Sequence, residues 1–210
     1  ASDWSSDVCS SDLSPTIARH VKEDLDGKID MILDGGEVGI GVESTIVDFT
    51  EAEPTILRPG YVTEEMLCSV LGAVDTDPTI LRADSKEAPK APGMKYRHYA
   101  PRAVMSLVEG ESREVAKRME ELTKEAQAEG KKVGILCTEE MLGILHGDVI
   151  KCVGSRKDPA SIARNLYRVL REFDGEDVDV IFSESFSKEG FGQAVMNRLL
   201  KAAGQTVIRV

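Results

Sequence analysis

No stretch of this sequence approaches the roughly 18–20 consecutive apolar residues needed to cross a bilayer. The opening residues carry neither the basic segment nor the apolar run of a secretory signal, so the expected compartment is the cytoplasm. Cations are in deficit: 26 Lys and Arg stand against 37 Asp and Glu, for a formal net charge of −11. Phosphate backbones are gripped by clustered Lys and Arg, and the deficit argues against an extended nucleic-acid surface. Cysteine is sparse as well. The four present, Cys9, Cys68, Cys137 and Cys152, form no CxxC pair and have no His at zinc-ligand spacing. They read as free, mostly buried thiols rather than as a metal or disulfide framework. What remains is an ordinary globular composition, 41% hydrophobic and 30% charged, over a length that suits one large domain or two small ones.

The single Trp, Trp4, falls in a segment with no periodicity of any kind, residues 1–13. Asp3 to Leu13 corresponds residue for residue to one translated frame of a common sequencing-library adaptor. The expectation is that 1–13 is an artefact to be left out of fold reasoning, that native sequence resumes at Ser14, and that a natural N-terminal portion is missing. Removing Asp3, Asp7 and Asp12 takes the charge from −11 to −8, and removing Cys9 leaves three cysteines.

From Ser14 the pattern is α/β throughout. Ser14-Pro15-Thr16 before Ile17, Val21 and Leu25 reads as a capped helix start, with Gly27 ending the helix. Short strands are expected at 29–33, 42–49 and 55–57, the last halted by Pro59-Gly60, and a helix from Thr63 to about Leu71. Residues 73–102 are broken by repeated Pro, Gly and Asp and read as an interdomain linker, long enough to carry a function of its own. Beyond it, strands near 103–108, 132–137, 148–152, 178–183 and 206–209 alternate with helices at 112–128, 139–145, 159–173 and 191–203. Ile162, Leu166, Val169, Leu170 and Phe173 mark one apolar face. Such alternation implies a mostly parallel sheet covered on both sides, a small Rossmann-like domain over 103–210.

Several segments carry possible chemistry. Val42 to Asp48 places Ser44 and Thr45 side by side, and strand alternation sends them to opposite faces, so only one can meet a given ligand. The plainer reading is a strand using Thr for propensity. Arg58, at a strand end before a turn, suits phosphate or carboxylate as well as it suits a bare surface. Lys95-Tyr96-Arg97-His98-Tyr99 packs three cations, counting His, and two aromatics into five positions. That composition fits a lid over a polyanion, or a basic linker resting on its own acidic domains. Gly190-Phe191-Gly192-Gln193 opens a helix and reads first as packing, second as an anion-binding turn. His146, Ser183, Ser185 and Cys137 assemble into no triad by spacing.

Taken in order, Ser14-Pro15-Thr16, Leu33-Asp34-Gly35-Gly36, Val42 to Asp48, Leu57-Arg58-Pro59-Gly60, Pro92 to Pro101 and Met196-Asn197-Arg198-Leu199 resemble L-threonylcarbamoyladenylate synthases of the two-domain type, over essentially all of 14–210. The resemblance implies a nucleotidyltransferase that condenses L-threonine, bicarbonate and ATP, with Mg2+ assisting, into threonylcarbamoyl-AMP and pyrophosphate. Partner proteins then transfer the threonylcarbamoyl group to tRNA. It implies 14–72 as the C-terminal part of a twisted, open α/β catalytic domain, 73–102 as a linker and lid, and 103–210 as the second domain. By position it assigns Ser44 to L-threonine, and Thr16, Arg58, Tyr96, His98 and Tyr99 to ATP. No covalent catalytic residue and no protein metal ligand are implied.

The family's basic triphosphate segment and a Ser-Ala-Asn segment are expected upstream of Ser14. The chain alone is therefore expected to be inactive, with a loosely packed 14–72 carrying unpaired strand edges. The competing reading is a non-catalytic nucleotide- or effector-binding module built on 103–210.

Overall fold

The computed structural model describes residues 13–78, 80 and 100–210. In the first part, helix α1 covers Ala18–Leu25 and is followed by strands β1 (Ile46–Asp48) and β2 (Thr55–Arg58), helix α2 (Glu64–Leu71) and strand β3 (Asp75–Thr76). β2 is the centre of a three-stranded sheet, antiparallel to β1 and parallel to β3. The start of α2 follows local chemistry. The Thr63 hydroxyl accepts from the Met66 amide, and Glu64 and Glu65 sit in the first turn, where the helix dipole favours them.

Three expectations need correcting here. Ser14 and Thr16 do not cap α1, which starts later, at Ala18, with no side-chain cap; both are engaged elsewhere, as described below. Residues 29–33 form no strand and join no ladder among the described residues, with a bend at Asp30, and Met31 and Leu33 stand 75% and 89% exposed. A short apolar run makes a strand only where a neighbouring edge offers hydrogen bonds. The strand expected over 42–49 keeps only its end, because residues 42–45 turn toward the second domain.

That second domain contains β4 (Val104–Glu109), α3 (Ser112–Ala128), β5 (Val133–Thr138), β6 (Val149–Gly154), α4 (Pro159–Asp174), β7 (Val180–Glu184), α5 (Phe191–Ala202) and β8 (Val207–Arg209). All five strands run parallel, in the order β6-β5-β7-β4-β8. The chain moves along the sheet one way through α3 and returns through α4 and α5. Right-handed crossovers then place α3 on one face and α4 and α5 on the other. Two buried clusters follow from this. One joins Val115 and Met119 of α3 to β5 and Phe182; the other joins Leu166, Leu170 and Phe173 of α4 to Val195 and Leu199 of α5. Between β5 and β6 only a 3-10 turn, Glu139–Met141, forms where a longer helix was expected. Gly143, at φ +80, turns the chain out of helical geometry. Cys68, Cys137 and Cys152 are free, and burial, with smaller contributions from Glu184 and Cys152, pushes the Cys137 thiol up to about 12.

The first part is docked on α4 and α5 rather than loose. Leu13 and Val42 belong to the same buried cluster as the α4 and α5 side chains. Arg171 of α4 grips Asp24 of α1 with two hydrogen bonds, 3.0 and 2.6 Å, and also the Leu13 carbonyl. The Asn197 amide donates to the Ile80 carbonyl at 2.7 Å. Gly41 lets the backbones approach: a Cβ there would run into the carbonyl oxygens of Ala163 and Arg164. Gly41→Ala is therefore expected to lower stability by about 1–3 kcal/mol, the range for overpacking. Gly35→Ala, with open space around it, stays within about 0.5 kcal/mol; chemical denaturation of both variants measures the difference.

Candidate functional site

The segments just before β1 and just after β2 come together around Arg58. Its Nε donates to the Ser44 carbonyl at 3.1 Å and its Nη2 to the Ser44 hydroxyl at 3.2 Å. Nη1 keeps its donors free of protein partners among the described residues. Ser44 is exposed and Arg58 half-buried, so a small hydroxylated or anionic molecule can reach both. Thr45 turns away and donates to the Val62 carbonyl at 2.7 Å. Two residues that the sequence places on different ligands are thus direct neighbours.

Thr16 lies elsewhere. Its amide donates to Nδ1 of the buried His20 at 3.2 Å, and its carbonyl accepts from Val38 at 3.1 Å. It lines a small cavity of about 170 Å³ with Pro15, Asp34, Gly35 and Gly36. Burial, followed by the charge of Arg171, holds the His20 imidazole below its ordinary value. Tyr96, His98 and Tyr99 lie outside the described residues.

Beneath Ser44 and Arg58 sits a charged cluster that the motif reading overlooks. Glu43 accepts from Arg198 Nε and Nη2 at 3.0 and 2.9 Å, from the Tyr167 hydroxyl at 2.8 and 2.9 Å, and from the Ser14 hydroxyl at 2.6 Å. Burial by itself would raise the Glu43 carboxyl. Arg198 first, then Ser14, the backbone and Tyr167 outweigh it and hold the group below the usual carboxylate range. Lys201, 8% exposed and one turn further along α5, completes the cluster. Burial first, then Arg198, with Arg58 adding less and Glu43 opposing, lowers its pKa to about 8.

These residues left one signal in the sequence: Asn197, Arg198 and Lys201 interrupt an otherwise apolar helix. α5 is buried on all sides from Ala194 to Ala202. One face meets the sheet, and the face that would normally meet water meets the first part of the chain.

The second domain holds a separate cavity of about 420 Å³ at the C-terminal ends of its strands, lined by Arg156, Phe186, Gly190, Phe191 and Val195 among others. Arg156 is held by the fully buried Glu184, which also accepts from the Thr138 amide and hydroxyl. Gly192 is there for packing, because a Cβ would strike the Ser187 carbonyl. His146 pairs with Glu120, and the Ser183 hydroxyl donates to the Glu184 carbonyl; neither is arranged as part of a nucleophile–base pair.

Comparison with known proteins follows the same outline. Residues 62–204 match the family described as "Threonylcarbamoyl-AMP synthase, C-terminal domain", and residues 5–60 the family described as "Telomere recombination". The threonylcarbamoyl-AMP synthase of Bacillus subtilis is 46% identical over 196 residues, covering 93% of this chain and 55% of its own length. That of Pyrococcus abyssi is 46% identical over 197 residues, covering 94% and 56%. The crystal structure of P. abyssi Sua5 complexed with L-threonine superposes with a TM-score of 0.86 at 44% identity, covering 96% of this chain and 57% of that one. The chain spans about half the length of the curated relatives it matches.

Lys201 gives the site a pH signature. Its folded value of about 8 lies below the free lysine value of 10.5, so the unfolded chain binds the proton more tightly. The penalty is full below about pH 8 and fades as pH rises toward 10.5. Lys201→Met is expected to raise the Tm at pH 7 and to lose most of that advantage by pH 10, as calorimetry at the two values would show. An equal advantage at both would mean that Lys201 is not a desolvated cation.

Proposed function

The chain belongs to the threonylcarbamoyl-AMP synthase family, and we propose that it supplies the threonine site and part of the ATP site for making threonylcarbamoyl-AMP and pyrophosphate from L-threonine, bicarbonate and ATP. The observation that carries this reading is the Arg58–Ser44 contact. It joins a hydroxyl suited to an amino-acid substrate to a guanidinium suited to a phosphate, and a relative of closely similar fold is known as a complex with L-threonine.

In this reading Ser44 orients L-threonine, and Arg58 faces the nucleotide through its free donors. Adenylation develops negative charge at the α-phosphate, which preorganised cations in a water-poor site stabilise. Thr16 meets ATP from the end of α1, and Tyr96, His98 and Tyr99 close over the substrates. Magnesium enters with the ATP phosphates; the described residues gather no group of three or more His, Cys, Asp or Glu side chains that would hold it. The product is handed to a tRNA-modifying transferase, a setting that accords with a cytoplasmic enzyme. Among the described residues no helix is long and apolar enough to cross a membrane.

Because the matched relatives are nearly twice as long, the reaction is best tested with residues 14–210 joined to the N-terminal segment of the B. subtilis relative. That fusion is expected to convert ATP to threonylcarbamoyl-AMP in a threonine-dependent manner. Ser44→Ala is expected to raise KM for L-threonine at least tenfold, and Arg58→Ala to raise KM for ATP. The 210-residue chain by itself is expected to form no product. If the fusion is also inert while residues 103–210 saturate with a nucleotide, the cavity beneath Arg156 takes precedence and the binding-module reading replaces this one.

A further inference from the structure

We propose that Arg198, on α5 of the second domain, is a positioning residue for the substrate site of the first, clamping together the two segments that present Ser44 and Arg58. The inference rests on the reading of Ser44 and Arg58 given above, and it extends that reading to a residue in the other domain. Arg198 has no exposed surface at all. Its Nε and Nη2 hold Glu43, the residue immediately before Ser44, and its Nη1 donates to the carbonyl of Pro59, the residue immediately after Arg58. Arg58 in turn donates twice to Ser44. Hydrogen bonds and peptide bonds thus close a ring: Arg198, Glu43, Ser44, Arg58, Pro59 and back to Arg198.

Three features make this ring a device for position rather than for adhesion. First, Gly60 lets the segments touch, since a Cβ there would collide with the backbone of Glu43, Ser44 and Thr45. Second, the planar guanidinium spreads its donors over two targets in fixed directions, which an ammonium group cannot reproduce. Third, a buried ion pair is a poor way to stabilise an interface that apolar side chains could hold as well. Arg198 accepts that penalty beside a second buried cation, Lys201. What the charges add is direction, and a substrate site is sensitive to displacements of about 1 Å. Because α5 packs on the sheet through Val195 and Leu199, the second domain sets where Ser44 and Arg58 stand.

The test compares Arg198→Lys with Arg171→Met, which breaks a different buried interdomain ion pair, Asp24 of α1 with Arg171 of α4. Hydrogen exchange is measured on the 210-residue chain, and steady-state kinetics on the fusion described above. Arg198→Lys is expected to speed exchange at the amides of residues 43–45, 58 and 60 at least tenfold, while 104–109 keeps its protection. It is also expected to raise KM for L-threonine at least tenfold. Arg171→Met is expected to lower Tm by as much or more, yet to leave KM within twofold. Wild-type exchange at 43–45, 58 and 60 in folded Arg198→Lys would overturn the clamp, as would equal KM effects from both variants. If the wild-type fusion shows no threonine dependence, the substrate reading fails; the exchange result then still decides whether Arg198 fixes these segments.

Discussion

The carboxylate of Glu43 is the point on which the two parts of the molecule turn. A buried carboxylate is tolerated only when its lone pairs are filled and its charge is answered. Here Ser14, Tyr167 and Arg198 do both. The three donors come from widely separated stretches: the segment before α1, helix α4 and helix α5. Satisfying one side chain therefore brings three elements to one place. Without Arg198, Glu43 would lose its paired guanidinium and keep only two hydroxyl donors. Without Glu43, the buried Arg198 and Lys201 would lose the carboxylate that faces them both.

The parallel sheet supplies what such a network needs, which is a rigid support. β5 is buried at every position from Val133 to Thr138, and α4 and α5 rest on the sheet through large aliphatic and aromatic side chains. At about 25 cal/mol per Å² of apolar surface removed from water, that packing is the main stabilising term. It holds Tyr167 and Arg198 on helices whose axes are fixed by many contacts. Ser44, by contrast, lies just before the short strand β1, and Arg58 ends the short strand β2, both of a three-stranded sheet. Segments of that kind gain precision by being tied to a stiffer neighbour, and the tie is made through charged hydrogen bonds because those have direction.

The second domain was legible in the sequence because its signals are local. Helix α3 occupies 112–128 as expected, and the apolar stripe of α4, from Ile162 to Phe173, is buried as its spacing requires. The Ser44 and Arg58 segments were legible as family motifs. The contact between them was not, since it depends on how two strand ends meet across the sheet. Residues 29–33 carried a short apolar run, but whether such a run becomes a strand depends on a partner edge that local sequence does not encode. Arg198 was hardest to place. A charged residue in a helix ordinarily marks the solvent face, and its partner Glu43 lies 155 positions away. Only the fact that both faces of α5 are covered turns that charge from a surface feature into part of the core.

The polarity of the interface follows from the same constraint. An apolar contact between the two parts would bind as well but would leave their relative position soft, because the hydrophobic effect has no preferred direction. Leu13 and Val42 supply apolar contact, and directional contacts accompany it: Arg171 on Asp24, Asn197 on the Ile80 carbonyl, Arg198 on Glu43 and on the Pro59 carbonyl. Two of these end on backbone carbonyls, so they fix the path of the chain itself rather than a side chain that could swing away. Glycines at 41 and 60 remove the side chains that would hold the backbones apart. An interface of glycines, carbonyls and buried arginines is a weak choice for stability alone. It is a sound one for holding a serine and an arginine in register from a neighbouring domain.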